Sequence, residues 1–211
     1  MSQKSPEIPG HPPGFPTLSL KLPDWVERVV RPADVLADRE DRMRLAIRLA
    51  SENIARGTGG PFGAAVIERE TGRVVSVGVN VVVPSGCSLA HAEAMALALA
   101  QRAAGSHDLA SPGLPEMELV CSAQPCCQCY GMVWWSGVRG LVIGARGEDV
   151  ESIAGFREGP LPADWAGLLR HRSDLPPVAV DCDVLRDEAL APLNAFRASG
   201  QPAYNPGSGG A

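Results

Sequence analysis

His91-Ala92-Glu93 and Pro125-Cys126-Cys127-Gln128-Cys129 are the two short stretches around which this chain is organised. One imidazole and two thiols spaced as Cys-x-x-Cys are side chains that bind Zn²⁺. Three protein ligands leave the fourth tetrahedral position open, which is typical of a catalytic rather than a structural zinc site. Glu93 is not needed as a ligand and is free to move protons, so we predict that it is catalytic. The predicted metal ligands are His91, Cys126 and Cys129.

The composition is that of an ordinary globular protein. The chain has 211 residues, of which 45% are hydrophobic and 20% charged, and this length fits a single domain. The formal net charge of -5 argues against a phosphate backbone as the partner, because nucleic-acid-binding proteins usually present a basic face. We therefore expect a small-molecule substrate and no nucleic acid.

The apolar runs, the cysteines and the proline-rich ends of the chain indicate its cellular location and its domain boundaries. No run of about 18 apolar residues is present, so we expect no membrane contact. Two of the six cysteines have metal-ligand spacing, which favours the reducing cytoplasm. Proline density predicts an extended tail over residues 1–23, followed by one zinc domain over 24–200 and a flexible Gly/Pro-rich tail over 201–211.

Hydrophobic periodicity and turn residues predict the elements of the domain. The first long helix is expected over 34–56 with Asp34 as its cap, and a β-hairpin is expected over 62–68 and 73–83. Two apolar helices begin at the metal-ligand stretches. The remaining predicted elements are helices 90–104, 126–136 and 186–199 and strands 116–121, 138–144 and 178–184.

The alternation of helices and strands predicts an α/β fold, a three-layer α/β/α domain with a five-stranded mixed sheet. The segment between the fourth and fifth strands, residues 145–177, is long enough for a helical crossover. Strands four and five are therefore expected to be parallel.

The position of the ligands at helix N-termini suits thiolates, because the positive end of the helix lowers the pKa of cysteine. With Glu93 moving protons, water attack on an amidine-like ring carbon and loss of ammonia would constitute hydrolytic deamination. Two alternatives remain. Cys-x-x-Cys could be a redox pair, or Cys87 or Cys121 could close a structural zinc site. Buried, inert thiols are otherwise expected at Cys87, Cys121, Cys127 and Cys182.

The sequence resembles the cytidine deaminase superfamily, most closely its bacterial guanine deaminase branch, which is related to the tRNA adenosine deaminases. The His-x-Glu and Pro-Cys-x-x-Cys pattern is the zinc deaminase signature. The resemblance implies a cytidine deaminase-like fold, one Zn²⁺, hydrolytic deamination of a free nucleobase and a homodimer. Further matching stretches are Gly59-Gly60-Pro61-Phe62-Gly63-Ala64, Gly78-Val79-Asn80 and Gly155-Phe156-Arg157-Glu158.

The same resemblance implies roles for individual residues. Asn80 would hydrogen-bond the substrate ring and Phe62 would stack on it, while Trp135 would help to wall the pocket. Tyr204 resembles an aromatic residue that closes the site, in some members from the partner subunit. The implied substrate-binding residues are Asn80, Phe62, Ala92, Trp135 and Tyr204.

Glu158 matches the position of a second catalytic acid that shuttles protons near the departing amine. Three positions depart from the purine-deaminase pattern: Gln124 stands in place of Glu, Gln128 in place of Met and Arg157 in place of an acid. We therefore expect guanine or a related aminopurine as substrate, and keep a triazine, a pterin, cytosine or cytidine as alternatives. A nucleic-acid-editing adenosine deaminase and a non-catalytic zinc scaffold are the remaining alternatives.

Overall fold

The computed structural model describes residue 15 and residues 17–207. Most of the predicted N-terminal tail and the last four residues lie outside the described part, so the predicted domain bounds stay a prediction. Residues 17–23 form no regular secondary structure, and Leu20 and Leu22 pack against the hydrophobic core. The helices in the described part of the chain include none with the length and hydrophobicity of a membrane-spanning segment.

The described chain contains helices, one π-helical turn and five strands. The strands are β1 (Gly63–Glu68), β2 (Val74–Val79), β3 (Met117–Ala123), β4 (Gly140–Ala145) and β5 (Ala179–Asp181). The helices are α1 (Val26–Val29), α2 (Arg39–Ala55), α3 (Val82–Ser85), α4 (Ala92–Ala104), α5 (Cys127–Ser136), α6 (Gly147–Asp149), α7 (Trp165–Arg170) and α8 (Arg186–Ala198). The π-helical turn, Val150–Ala154, follows α6 directly.

The five strands form one mixed sheet in the order β2-β1-β3-β4-β5. β1 is antiparallel to both β2 and β3, which confirms the predicted hairpin. β3, β4 and β5 run parallel, which confirms the prediction for strands four and five. The crossover between β4 and β5 contains α6, the π-helical turn and α7.

Helices cover both faces of the sheet, so the predicted three-layer α/β/α fold is confirmed. Successive β1 side chains point to opposite faces, as strand geometry requires. Ala65 and Ile67 pack in the core formed with α2 and α8, whereas Ala64 and Val66 pack in the core formed with α4 and α5. All six β1 residues are buried, which explains why the strand is apolar up to Ile67 and shows no alternation of apolar and polar residues.

Two glycines let helices approach the sheet closely. A Cβ on Gly78 of β2 would lie 2.0 Å from the Ala92 carbonyl oxygen, and one on Gly63 of β1 would lie 2.3 Å from that of Ala46. Because Ala92 begins α4, Gly78 fixes the height of that helix's first turn above the sheet. The Ser76 hydroxyl reinforces the contact by donating to the Ala96 carbonyl at 2.6 Å.

The structure corrects two predicted element boundaries. Asp38 rather than Asp34 caps α2, accepting from the Glu40 amide at 2.7 Å, because residues 33–36 instead hydrogen-bond with residues 72–74. The second strand ends at Val79 and not at residue 83. Its continuation turns away at Asn80, and residues 82–85 form the short helix α3.

Candidate metal centre and active site

One edge of the sheet brings the predicted metal ligands together with Glu93 and Asn80, and we call it the catalytic edge. It consists of the ends of β2 and β3, the start of β1 and the first turns of α4 and α5. His91 is the N-cap residue of α4 and Cys126 the N-cap residue of α5. The prediction that the ligands stand at helix N-termini is confirmed.

The three predicted ligands lie at separations that fit zinc. His91 Nδ1 is 3.5 Å from Cys126 Sγ and 3.5 Å from Cys129 Sγ, and the three ligand atoms lie within 4.8 Å of one another. Zn–S bonds of about 2.3 Å and Zn–N bonds of about 2.0 Å at tetrahedral angles give an N···S separation of roughly 3.5 Å. His91, Cys126 and Cys129 therefore fit one Zn²⁺ ion.

The two ligand thiols differ in the direction in which their surroundings shift the pKa. A hydrogen bond from the Cys129 thiol, together with the neighbouring His91, lowers the pKa of Cys126 to about 4. The same hydrogen bond and burial raise the pKa of Cys129 well above its ordinary value. Since metal ligation requires thiolates, a Zn²⁺ ion held by Cys126 and Cys129 would displace the proton that the pair shares.

The other cysteines do not complete a structural zinc site. In the described chain, no fourth His, Cys, Asp or Glu side chain joins the ligand group, and this includes Cys87 and Cys121. Cys121 is buried as predicted, and burial raises the pKa of its thiol. The prediction of buried thiols is wrong for Cys127 and Cys182, which are exposed, and Cys87 is only partly buried. Cys127 lines the site cavity, and Cys182 follows the end of β5.

Glu93 lies in the first turn of α4 and lines the same cavity as the ligands His91 and Cys126. The residue is 8% exposed, and burial is the main cause that raises the pKa of its carboxyl, followed by the nearby Cys126 charge. Its carboxylate is not a member of the ligand group. The arrangement leaves a proton carrier beside the metal centre rather than on it.

Asn80 is fixed at the end of β2 by a buried polar network. Its carbonyl accepts from Asn53 Nδ2 at 2.8 Å, and its side-chain Oδ1 accepts from the Val82 amide at 3.3 Å. Its side-chain Nδ2 donates to the Tyr204 hydroxyl. A Cβ on Gly59 would lie 1.8 Å from the Asn80 carbonyl oxygen. Only glycine therefore fits at position 59, where the loop before β1 passes close to the Asn80 backbone.

An aromatic cluster forms one wall of the cavity. Phe156 makes edge contacts with Phe62 and with Tyr204, each at a ring-centroid separation of 5.1 Å. Burial raises the pKa of the Tyr204 hydroxyl above its ordinary value. Tyr204 thus reaches the site from its own chain. The cavity has a volume of about 450 Å³, which lies within the range of small-molecule sites.

Glu158 reaches the cavity on the loop that follows the π-helical turn. Its carbonyl accepts from the Cys127 amide at 2.9 Å, and its amide donates to Glu151 Oε1 at 3.3 Å. Burial, and then the charges of Cys126 and Glu93, raise the pKa of Glu158 to about 8. Two carboxyl groups with raised pKa values therefore face one cavity.

Trp135 and Ala92 do not line this cavity. Trp135 is 74% exposed near the C-terminal end of α5, whereas the ligands lie at its N-terminal end. The expectation that Trp135 walls the pocket is not met within one chain. Ala92 is buried in the core beneath the site, between α4 and the sheet.

Sequence reasoning missed residues that hold the site together. Asn53 is fully buried and links the glycine-rich loop to Asn80, with a second bond from its Nδ2 to the Gly60 carbonyl at 2.9 Å. Asn205 Oδ1 accepts from the Arg157 amide at 2.9 Å, which ties the C-terminal segment to the Glu158 loop. The only sequence signal for Asn53 is a polar residue on an otherwise apolar helix face.

The fold and the site define a zinc-dependent hydrolytic deaminase. The model of the family described as "Cytidine and deoxycytidylate deaminase zinc-binding region" matches residues 36–145. The chain belongs to this family, and the predicted resemblance is confirmed. The matched residues include all three ligands and Glu93.

Among similar proteins, guanine deaminase of Bacillus subtilis (strain 168) is 31% identical over 119 residues, which are 56% of this chain and 71% of that protein. The structure of guanine deaminase from Nitrosomonas europaea is 47% identical with a TM-score of 0.81, covering 86% of this chain and 97% of that one. The structure of NE0047 in complex with 2,6-diaminopurine is 46% identical with a TM-score of 0.82, covering 90% of this chain and 97% of that one.

Proposed function

We propose that this protein is a zinc-dependent aminohydrolase that converts a free aminopurine, guanine or a close relative, to the oxo compound and ammonia. The observation that carries the proposal is one cavity whose lining combines two of the metal ligands, His91 and Cys126, with the carboxyl groups of Glu93 and Glu158, the Asn80 amide and an aromatic wall. The similar proteins named guanine deaminase support a purine-like ring.

His91, Cys126 and Cys129 would hold Zn²⁺, which when bound supplies a Lewis acid that activates water for hydrolysis. The Glu93 carboxylate takes a proton from the attacking water and delivers it to the ring nitrogen next to the reacting carbon. Its burial suits this role, because a raised pKa brings the carboxyl nearer to the working pH.

Glu158 is the second carboxyl group in the cavity that can transfer a proton during the reaction. With a pKa of about 8, its carboxyl holds a proton near neutral pH and can deliver it to the exocyclic amine as the C–N bond breaks. Asn80 has an amide that can donate and accept at the ring edge, and Phe62 offers a face on which the ring stacks. Ammonia leaves, and the ring carbon keeps the oxygen from water as a carbonyl. The second proton of the water is released as the C=O bond forms and replaces the proton that Glu158 gave up.

The test is an ammonia-release screen with the zinc-loaded protein over guanine, other aminopurines, cytosine, cytidine, triazines and pterins. We expect turnover of guanine or another aminopurine. Turnover of cytosine or a triazine alone would contradict the purine proposal and leave the deaminase intact. No turnover of any amino-heterocycle by a fully zinc-loaded protein would favour a zinc scaffold.

We also propose that the protein acts as a homodimer on a free base in a reducing compartment such as the cytoplasm. All six cysteines are unpaired, which suits such a compartment. Trp135, 74% exposed beside a groove of α4 and α5, would be covered by the second copy. Sedimentation of Trp135→Glu tests this: the variant is expected to be a monomer, and an unchanged mass would exclude this surface.

A further inference from the structure

The edge of the sheet opposite the catalytic edge carries a second cavity, of about 410 Å³, lined by arginines. We call it the arginine edge: it lies where β1 ends and where β3, β4 and β5 begin. Arg69 follows β1, Arg139 precedes β4 and Arg170 ends α7. Because the two edges are separated by the length of the strands, this cavity is distinct from the active site.

Three arginines at this edge are each matched by a carboxylate. Arg42 pairs with Glu118 at 2.9 Å, and Arg69 pairs with Glu116 at 2.8 Å. Arg73 likewise pairs with Glu68. The charge of each of these three arginines is therefore neutralised by one carboxylate.

Arg139 and Arg170 break that pattern. Arg170 donates to the Val180 carbonyl at 2.7 Å, which holds the side chain without neutralising it. Across residues 15 and 17–207, the Arg139 guanidinium has no hydrogen bond or ion pair. The cavity lining thus combines three arginines with one acid, Glu116, in a protein whose formal net charge is -5.

A fourth arginine increases the positive potential near Arg139. Arg172 lies against the Trp134 ring at 5.6 Å and donates to the Trp134 carbonyl at 2.7 Å. Its pKa is lowered by burial first and by the charge of Arg139 second, so the two guanidinium groups repel each other. Its buried Nε has no hydrogen-bond partner within the described residues.

We propose that the cavity between Arg69, Arg139 and Arg170 binds a phosphoryl group. Guanidinium groups present several N–H donors in a planar fork that matches phosphate oxygens, and an oxyanion would relieve the repulsion among unmatched positive charges. The ligand is inorganic phosphate, pyrophosphate or the phosphate moiety of a nucleotide. Arg139 supplies the free donors, while Arg69 and Arg170 are held by their own partners and shape the cavity.

The test is thermal unfolding of the zinc-loaded full chain with inorganic phosphate, pyrophosphate, a purine nucleoside triphosphate or the corresponding nucleoside, each at matched ionic strength. At saturation we expect at least one phosphate compound to raise the Tm by roughly 5 °C over chloride. A rise with phosphate or pyrophosphate identifies an inorganic ligand, and a rise with the triphosphate alone identifies a nucleotide.

Arg139→Ala is expected to lose most of that rise, because it removes the unpaired guanidinium without breaking a bond within the described structure. Arg48→Ala, which removes an exposed arginine of α2 outside the cavity, is the matched control and should keep the full rise. The zinc content of each sample is measured as well, because a phosphate compound that removes the zinc would lower the Tm of every variant alike. This measurement distinguishes loss of zinc from binding at the arginine edge. An equal rise in Arg139→Ala and the intact protein, or no rise over chloride, would overturn the proposal.

Discussion

The carboxyl groups at the two edges of the sheet differ in whether they form ion pairs. At the arginine edge, Glu68, Glu116 and Glu118 each form an ion pair with an arginine. At the catalytic edge, Glu93 and Glu158 line a cavity and form no ion pair in the described residues. Arginine lowers the pKa of Glu68, whereas burial raises the pKa values of Glu93 and Glu158.

This difference means that the carboxylates of the arginine edge contribute to stability, whereas those of the catalytic edge are suited to proton transfer. A paired carboxylate is held in one protonation state and contributes to folding, but it cannot easily take up a proton. A buried carboxyl without a cation costs folding free energy and has a pKa nearer to neutral pH, where it can exchange protons with a substrate. Substitutions at the two edges should therefore affect different measurements.

The largest effect is expected for Glu93→Ala at the catalytic edge. Loss of the proton carrier should lower kcat by about 10³-fold, because general acid–base catalysis typically contributes 10²–10⁴-fold. Zinc content measured by mass spectrometry should stay at one ion per chain, since Glu93 is not part of the ligand group. Near-normal turnover in the zinc-loaded variant would exclude Glu93 as the proton carrier.

Glu118→Ala tests the arginine edge and should change stability instead. It leaves the Arg42 guanidinium, which also donates to the Leu36 carbonyl at 2.8 Å, buried without its counter-charge. We expect a loss of about 3 kcal/mol, or a fall of roughly 6–12 °C in Tm, measured by calorimetry.

The matched control for this prediction is Glu116→Ala. Glu116 also pairs with an arginine, but its side chain is 64% exposed, against 12% for Glu118. Solvent screens an exposed pair, so the control should lose less than about 1 kcal/mol. Equal losses in the two variants would show that burial of the pair is not the cause.

Glu158→Gln should produce a smaller effect than Glu93→Ala. The amide keeps the size of the side chain but cannot deliver a proton to the leaving amine, so we expect kcat to fall about 10²-fold with little change in KM. A substrate carrying a better leaving group than ammonia should recover part of the rate. If KM rises and kcat does not change, Glu158 binds the ring and does not act in proton transfer.

The parts of the fold and site that depend on local sequence were predictable. His91, Cys126 and Cys129 carry their chemistry in residue type and spacing, and the long segment after β4 predicts a parallel fifth strand. The cap of α2 was not predictable, because Asp34 and Asp38 have the same capping chemistry. The choice depends on hydrogen bonds between residues 33–36 and the β1–β2 turn, which are distant in sequence.

Long-range contacts also explain what was missed around the site. Tyr204 meets Asn80 across 124 residues, and Arg157 meets Asn205 across 48. Trp135 follows the apolar pattern of α5, yet it lies on the exposed side of the helix. Periodicity identifies an apolar helix, but it does not show which of its faces meets the sheet and which is exposed.

The smallest effect is expected for Glu68→Gln, measured as the pH dependence of unfolding. The Glu68 carboxylate accepts from Arg73 Nε at 3.0 Å and from the Thr71 hydroxyl at 2.6 Å, and the Arg73 bonds are the main cause that lowers its pKa. The folded state therefore releases this proton more readily than the unfolded state. The stabilisation is present above the ordinary glutamate pKa of about 4.3 and is lost as the pH falls through the lowered folded value.

Because Arg73 is half exposed, the difference in unfolding free energy between the intact protein and Glu68→Gln should be below about 1 kcal/mol at pH 6. That difference should shrink as the pH falls from 5 to 3, and Arg73→Ala should remove the same pH dependence. A difference that stays constant on acidification would mean that Glu68 contributes through the Thr71 hydrogen bond and not through its charge. The contrast between paired and unpaired carboxylates would then hold only for the buried pair of Arg42 and Glu118.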